Sequence, residues 1–118
     1  MLFRSAFGND DRAALVLKVA HSDQYPAEFA TLQRACAASN VHVLDGIFGR
    51  RKLNTLLSVC DCYVSLHRSE GFGLPIAEAM SLAKPVIVTA YSGNMDFTTP
   101  SNSFLVKYRL TEIGRAHV

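Results

Sequence analysis

Apolar and polar residues follow two different periods along the chain, and the changes between them mark its elements. Ala13-Ala-Leu-Val-Leu-Lys-Val19 is a mostly apolar run, as expected for a strand covered on both faces. From Pro26 to about Ser39, Phe29, Ala30, Leu32, Gln33 and Cys36 take the spacing of an amphipathic helix. Pro26 suits its first turn and Asn40 its end. Val41-His-Val-Leu44 predicts a second strand, closed by Asp45-Gly46. Leu53, Leu56 and Leu57 recur at helical spacing between Arg51 and Val59, ahead of an apolar strand at 62–66. A helix over about 75–83 follows, and Lys84-Pro85 breaks it before the strand Val86-Ile-Val-Thr89. Ser92-Gly-Asn-Met-Asp96 reads as a turn-rich loop and Ser103-Phe-Leu-Val106 as a last strand.

Strands alternating with helices at this spacing predict an α/β layer fold with a parallel sheet. In such sheets ligands bind beyond the carboxyl ends of the strands. The loop at 67–74 lies at one such end. No internal repeat, low-complexity stretch or linker divides the chain.

Composition changes this picture little. Apolar residues make up 49% of the 118 and charged residues 19%, which suits a buried core and argues against disorder. A net charge of +2, with no basic cluster larger than Arg50-Arg51-Lys52, gives no footprint for nucleic acid. No apolar run approaches the length of a membrane span, and no signal-peptide pattern opens the chain. The three cysteines have no zinc-site spacing and read as buried reduced thiols, which predicts a cytoplasmic setting.

The two ends carry a different signal. Leu2-Phe-Arg-Ser5 can be encoded by CTC TTC CGA TCT, and Ile113-Gly-Arg-Ala-His-Val118 by ATC GGA AGA GCA CAC GTC. Both strings resemble translated sequencing-library adapters, as at the ends of a metagenomic read. The expected biological segment is therefore 6–111, with 1–5 and 112–118 as non-native tails.

The richest chemistry lies in Glu70-Gly-Phe-Gly-Leu-Pro-Ile-Ala-Glu78, where seven residues separate two carboxylates across a glycine-containing turn. The turn joins a strand to a helix, and a helix start offers backbone N–H groups and a favourable dipole to an anion. Gly71 and Gly73 allow backbone dihedrals closed to other residues and a close ligand approach. The N–H groups of Gly73 and Leu74 are expected to face a phosphate, and Pro75 loses nothing at that position by lacking one. Residue chemistry leaves a second reading open, in which Glu70 is a solvated loop residue and Glu78 a helix-surface carboxylate serving the dipole. Arg68 reads either as a cation for phosphate or sugar, or as a surface partner of Asp61 or Asp96. His67 could bond a sugar hydroxyl or play a structural part, while His21 and His42 read as structural.

Ser65-Leu-His-Arg-Ser-Glu-Gly-Phe-Gly-Leu-Pro-Ile-Ala-Glu-Ala-Met80, followed by Ala83-Lys-Pro-Val-Ile-Val88, resembles the donor-binding domain of retaining GT-B glycosyltransferases of the group 1 (family 4) type. The resemblance covers nearly all of 6–111. Asp61-Cys-Tyr-Val-Ser65 is similar to the strand that precedes the family motif, and Ser92-Gly-Asn-Met-Asp96 to the Gly-rich loop after the next strand. The fold implied is a partial Rossmann-like C-terminal domain lacking its first strand.

The resemblance implies transfer of a glycosyl group from a nucleoside-diphosphate sugar, with retention of configuration. Glu70 is the catalytic candidate, positioning the donor sugar. Gly71, Phe72, Gly73 and Leu74 supply contacts to sugar and diphosphate, Glu78 accepts hydrogen bonds from the ribose, and Arg68 and His67 are further donor-binding candidates. Ile47 lies where the base pocket is expected. No metal or other cofactor is required, because a helix N-terminus can stabilise the leaving diphosphate. The implied partners are the nucleotide-sugar donor and a saccharide or lipid-linked acceptor held by a missing N-terminal domain. They include no nucleic acid, and the full-length enzyme is expected at the inner face of the membrane.

The chain departs from the family in lacking the first-strand arginine and lysine that bind diphosphate, and Lys18, inside a strand, does not replace them. Alone, the chain is expected to be inactive. A doubly wound strand order would leave two open sheet edges at its centre, making it marginal and aggregation-prone. The rival readings are a nucleotide-sugar binding module without transfer, and a sugar-nucleotide epimerase of related fold.

Overall fold

A computed structural model describes residues 2–38 and 40–112. It is an α/β structure in which every strand pairing is parallel. The strands form two sheets, one of two strands and one of three, and the chain divides into two compact units between Gly49 and Arg50.

In the first unit, α1 (Leu2–Phe7) begins inside the segment read as an adapter tail and runs past its boundary at Ala6. Most of the C-terminal tail, 113–118, lies outside the described residues, as do Met1 and Ser39. β1 (Leu15–Val19) pairs with β2 (Val41–Asp45) from Leu15↔Val41 to Val19↔Asp45. Between them a short 3₁₀ turn, Ser22–Gln24, leads into α2 (Pro26–Ala35), with Pro26 at the first helical position as the sequence predicts.

Helix α2 ends at Ala35, earlier than expected, and Asn40 does not close it. Asn40 is buried, and its amide donates to the carbonyls of Gly8 and Asp10, joining the approach to β1 with the start of β2. A buried amide must find such acceptors, and the residues before β1 provide them. Lys18 likewise has local partners. Its ammonium donates to the carbonyls of Val19 and Gly46 and lies 4.5 Å from the centre of the Phe48 ring.

The second unit contains α3 (Arg50–Val59), β3 (Tyr63–Ser65), α4 (Leu74–Ser81), β4 (Val86–Thr89) and β5 (Phe104–Val106). β4 lies between β3 and β5, with Val88 opposite both Ser65 and Leu105. Its central place accounts for its burial, since Val86 and Val88 have no exposed surface. Ile76 and Ala79 of α4 complete a core on which Leu57, Tyr63, Met80, Phe97 and Leu105 pack. Complete burial of an aliphatic side chain of this size contributes about 1.5–3 kcal/mol.

Helix α4 stops in a Schellman motif. The N–H of Lys84 donates to the Ala79 carbonyl and that of Ala83 to Met80, with Ala83 left-handed at φ 57°. The cysteine expectation needs correction: Cys36 is buried, Cys60 is half-buried and Cys62 is exposed, and all three are free. Cys62 lies just before β3, where the approach to the strand is open to solvent. Among the described residues no helix is long and apolar enough to cross a membrane.

Candidate functional site

The loop after β3 carries the predicted site, and the loop after β4 holds it in place. The Ser92 hydroxyl donates to the Glu70 carbonyl at 2.6 Å and accepts from the Glu70 N–H at 3.0 Å. The Gly93 N–H donates to the same carbonyl at 3.0 Å. One side chain and one peptide group therefore satisfy the main chain of Glu70. The approach is so close that a Cβ on Gly93 would lie 1.7 Å from the Gly71 carbonyl oxygen. Only glycine fits there.

Gly73 is required for another reason. It is the N-cap of α4 with φ 90°, in the left-handed region, and a Cβ there would meet Asn94 and Phe97. Gly71 differs from the sequence expectation. Its φ is not positive and the space beside it is open, so no dihedral demands glycine at that position. No side chain caps α4, which leaves the amides of its first turn to other acceptors. Pro75 sits within that turn without breaking it, as expected.

The next contact is aromatic. The Phe72 and Phe97 rings lie 4.9 Å apart, joining the loop to the end of a short 3₁₀ turn, Gly93–Asp96. Beneath them Asn94 is fully buried, and its amide donates to the Thr89 carbonyl and the Thr98 hydroxyl. Its carbonyl oxygen has no partner among the described residues.

Glu70 is half-buried, and among the described residues its carboxylate makes no hydrogen bond or ion pair. Glu78 is the fifth residue of α4, and its Oε1 accepts from Arg50 at 3.0 Å. It is thus neither a free helix-surface carboxylate nor a cap. The pair is largely solvated on the arginine side, so its contribution to stability is small. Both carboxylates act on Tyr63 of β3. Its phenol is pushed above the usual tyrosine range, first by burial and then by the charges of Glu70 and Glu78. Two carboxylates eight positions apart, on either side of a turn, therefore act on one tyrosine of β3.

The His67 ring is fully engaged. Nε2 lies 2.9 Å from the Tyr91 carbonyl and Nδ1 lies 3.3 Å from the Ser65 hydroxyl. A carbonyl only accepts, so Nε2 donates to Tyr91, while Nδ1 meets the Ser65 hydroxyl. His67 thereby ties the ends of β3 and β4 together. Arg68 is exposed, and the ion pairs found among the described residues do not join it to Asp61 or Asp96. Leu74 and Phe72 are also exposed.

Four residues of this arrangement escaped the sequence reading of the site. Tyr63 looked like an ordinary strand residue, and Arg50 like a solvated helix start. Ser92 and Gly93 were read as part of a turn-rich loop similar to the family's Gly-rich loop, without a role for either residue. The partners of Arg50, Ser92 and Gly93 lie 22 or more residues away, and the charges on Tyr63 come from beyond its own strand, so no local pattern could expose them. An open groove of about 580 Å³ along α3, lined by Arg50, Arg51, Asn54, Thr55 and Ser58, contains none of the predicted site residues. Among the described residues no three His, Cys, Asp or Glu side chains come together to hold a metal ion.

The chain is thus of the α/β class, with an uncapped helix start following the carboxyl end of β3. The family can be stated more closely. The glycosyl transferases group 1 family matches residues 10–110 of the 118, and the chain belongs to it. No curated protein matches the chain.

Proposed function

We propose that this chain forms the donor-binding part of a retaining GT-B glycosyltransferase of family 4 type. It takes a nucleoside-diphosphate hexose and passes the sugar to a saccharide or lipid-linked acceptor. The observation that carries this reading is the unpaired Glu70 carboxylate on a clamped turn, directly before the uncapped start of α4. Glycosyl transfer itself follows from membership of the family.

The division of labour is as follows. The first-turn amides of α4 receive the diphosphate, and their dipole stabilises the charge that grows on it as the glycosidic bond breaks. Glu70 holds a sugar hydroxyl and fixes the anomeric carbon against the acceptor. The Oε1 of Glu78 is held by Arg50, which leaves Oε2 to accept from the ribose. Gly71 has open space at its Cα and lets the sugar approach the backbone. Phe72 and Leu74 present apolar surface beside it. His67 acts here by holding the two strand ends together, and Arg68, which has no ion pair among the described residues, is the candidate cation for phosphate. No metal is assigned to the reaction.

Acceptor binding belongs to a separate N-terminal domain, so the chain alone lacks transferase activity. The full-length enzyme works in the cytoplasm at the inner membrane face, in surface-polysaccharide assembly. The test is kinetic. In the full-length enzyme Glu78→Ala should raise the donor KM about tenfold, the effect of one charge-assisted hydrogen bond. Glu70→Ala should mainly lower kcat. Wild-type kinetics in both variants would overturn the assignment.

A further inference from the structure

Ser92 occupies a backbone conformation that belongs to glycine. Its φ of 80° and ψ of −155° lie in a region essentially closed to residues with a Cβ. Strain of this kind persists only where the surroundings enforce it. Here the enforcement is visible, because the hydroxyl bonds both the N–H and the carbonyl of Glu70. The next residue, Gly93, adds a third bond to the same carbonyl. Among the described residues nothing holds the Glu70 carboxylate itself, so its direction is set by the main chain from which it projects.

We propose that Ser92 is a positioning residue for glycosyl transfer, fixing the Glu70 peptide and through it the carboxylate that meets the donor sugar. This rests on the donor-site reading of Glu70 given above. The Ala83 position provides the contrast. It is also left-handed, at φ 57°, but its side chain is a methyl group with nothing to bond. At Ala83 the cost of the conformation serves the end of a helix; at Ser92 it brings a hydroxyl to one peptide.

Two substitutions separate the clamp from the strain. Ser92→Gly removes the hydroxyl and relaxes the backbone, whereas Ser92→Ala removes the hydroxyl and keeps the strain. In the full-length enzyme both should lower kcat by about tenfold, the effect of losing two ordinary hydrogen bonds. The donor KM should change by less than about twofold, because the phosphate and ribose contacts lie elsewhere. The glycine variant should melt above the alanine variant. Ala83→Gly serves as a control that raises stability and leaves kcat unchanged.

Wild-type kcat in Ser92→Gly would overturn the proposal, as would a kcat that follows melting temperature across the three variants. Glu70→Ala distinguishes the two levels of the reading. If it lowers kcat while Ser92→Gly does not, only the role of Ser92 falls. If Glu70→Ala itself behaves as wild type, the donor-site reading beneath it falls.

Discussion

Before Gly49 two parallel strands flank α2, and no residue of that helix is buried. After Arg50 two parallel strands flank α4, and Ile76 and Ala79 on that helix have no exposed surface. The sequence pattern of the two units is similar, an apolar strand, a proline-started helix and a second apolar strand. Their burial is not. Among the described residues β1 and β2 pair only with each other, whereas β4 has a partner on both edges and both of its buried valines in the core. Among the described residues the buried ones of the first unit are Cys36, Asn40 and Val41, each at 6–8% exposure. Strand pairing on both sides, more than hydrophobic pattern, separates a closed core from a looser one. The clamped loops belong to the closed unit, where fixed strand ends hold them.

The largest effect should come from the point where that unit is tightest. Gly93→Ala places a methyl group inside the Gly71 carbonyl, so the two loops must separate. The expected loss is at least about 3 kcal/mol, at the upper end of ordinary overpacking. Gly71→Ala adds the same methyl group in open space and should change stability by no more than about 0.5 kcal/mol. Denaturant unfolding of both variants measures the difference. Equal losses would mean that the loops are not packed as described.

The two cores give the next comparison. Ile76→Ala should cost about 2–5 kcal/mol, since the site is fully enclosed. Val41→Ala, at the edge of the looser unit, should cost about 1–2 kcal/mol at roughly 0.8 kcal/mol per buried methylene. Amide exchange should agree, with Val86 to Thr89 protected more strongly than Leu15 to Val19. Similar protection in both strands would remove the distinction between the units.

Much of this could be read from the chain, for identifiable reasons. β4 was placed at its observed bounds, because four apolar or β-branched residues between Pro85 and Ala90 allow little else. The start of α4 was marked by Gly73-Leu-Pro75, and the carboxylate spacing marked the turn before it as the candidate site. The end of α2 was misplaced because Asn40, a good helix terminator, is drawn instead to acceptors 30 and 32 positions earlier. Gly71 and Gly93 show the same limit from another side. Sequence chemistry credited Gly71 with special dihedrals, yet the structure tolerates a side chain there and not at Gly93, whose constraint comes from a loop 22 positions away. Tertiary contacts of this kind have no local pattern.

The smallest effect concerns one left-handed residue in each unit. Ala83 at φ 57° is fixed by the two Schellman hydrogen bonds at the end of α4. Ala83→Gly removes the steric cost of that conformation, about 1–2 kcal/mol, and gives back part of it through the freer unfolded chain. The expected gain is about 0.5–1 kcal/mol. His21 at φ 60° precedes the 3₁₀ turn of the first unit, is exposed and has no side-chain capping bond. Histidine tolerates this region better than alanine does, so His21→Gly should change stability by less than about 0.5 kcal/mol. Melting curves of the two variants would show the difference as a rise for Ala83→Gly alone. A larger gain at His21 would show that the first unit carries more strain than its open packing suggests, and would reverse the contrast between the two halves.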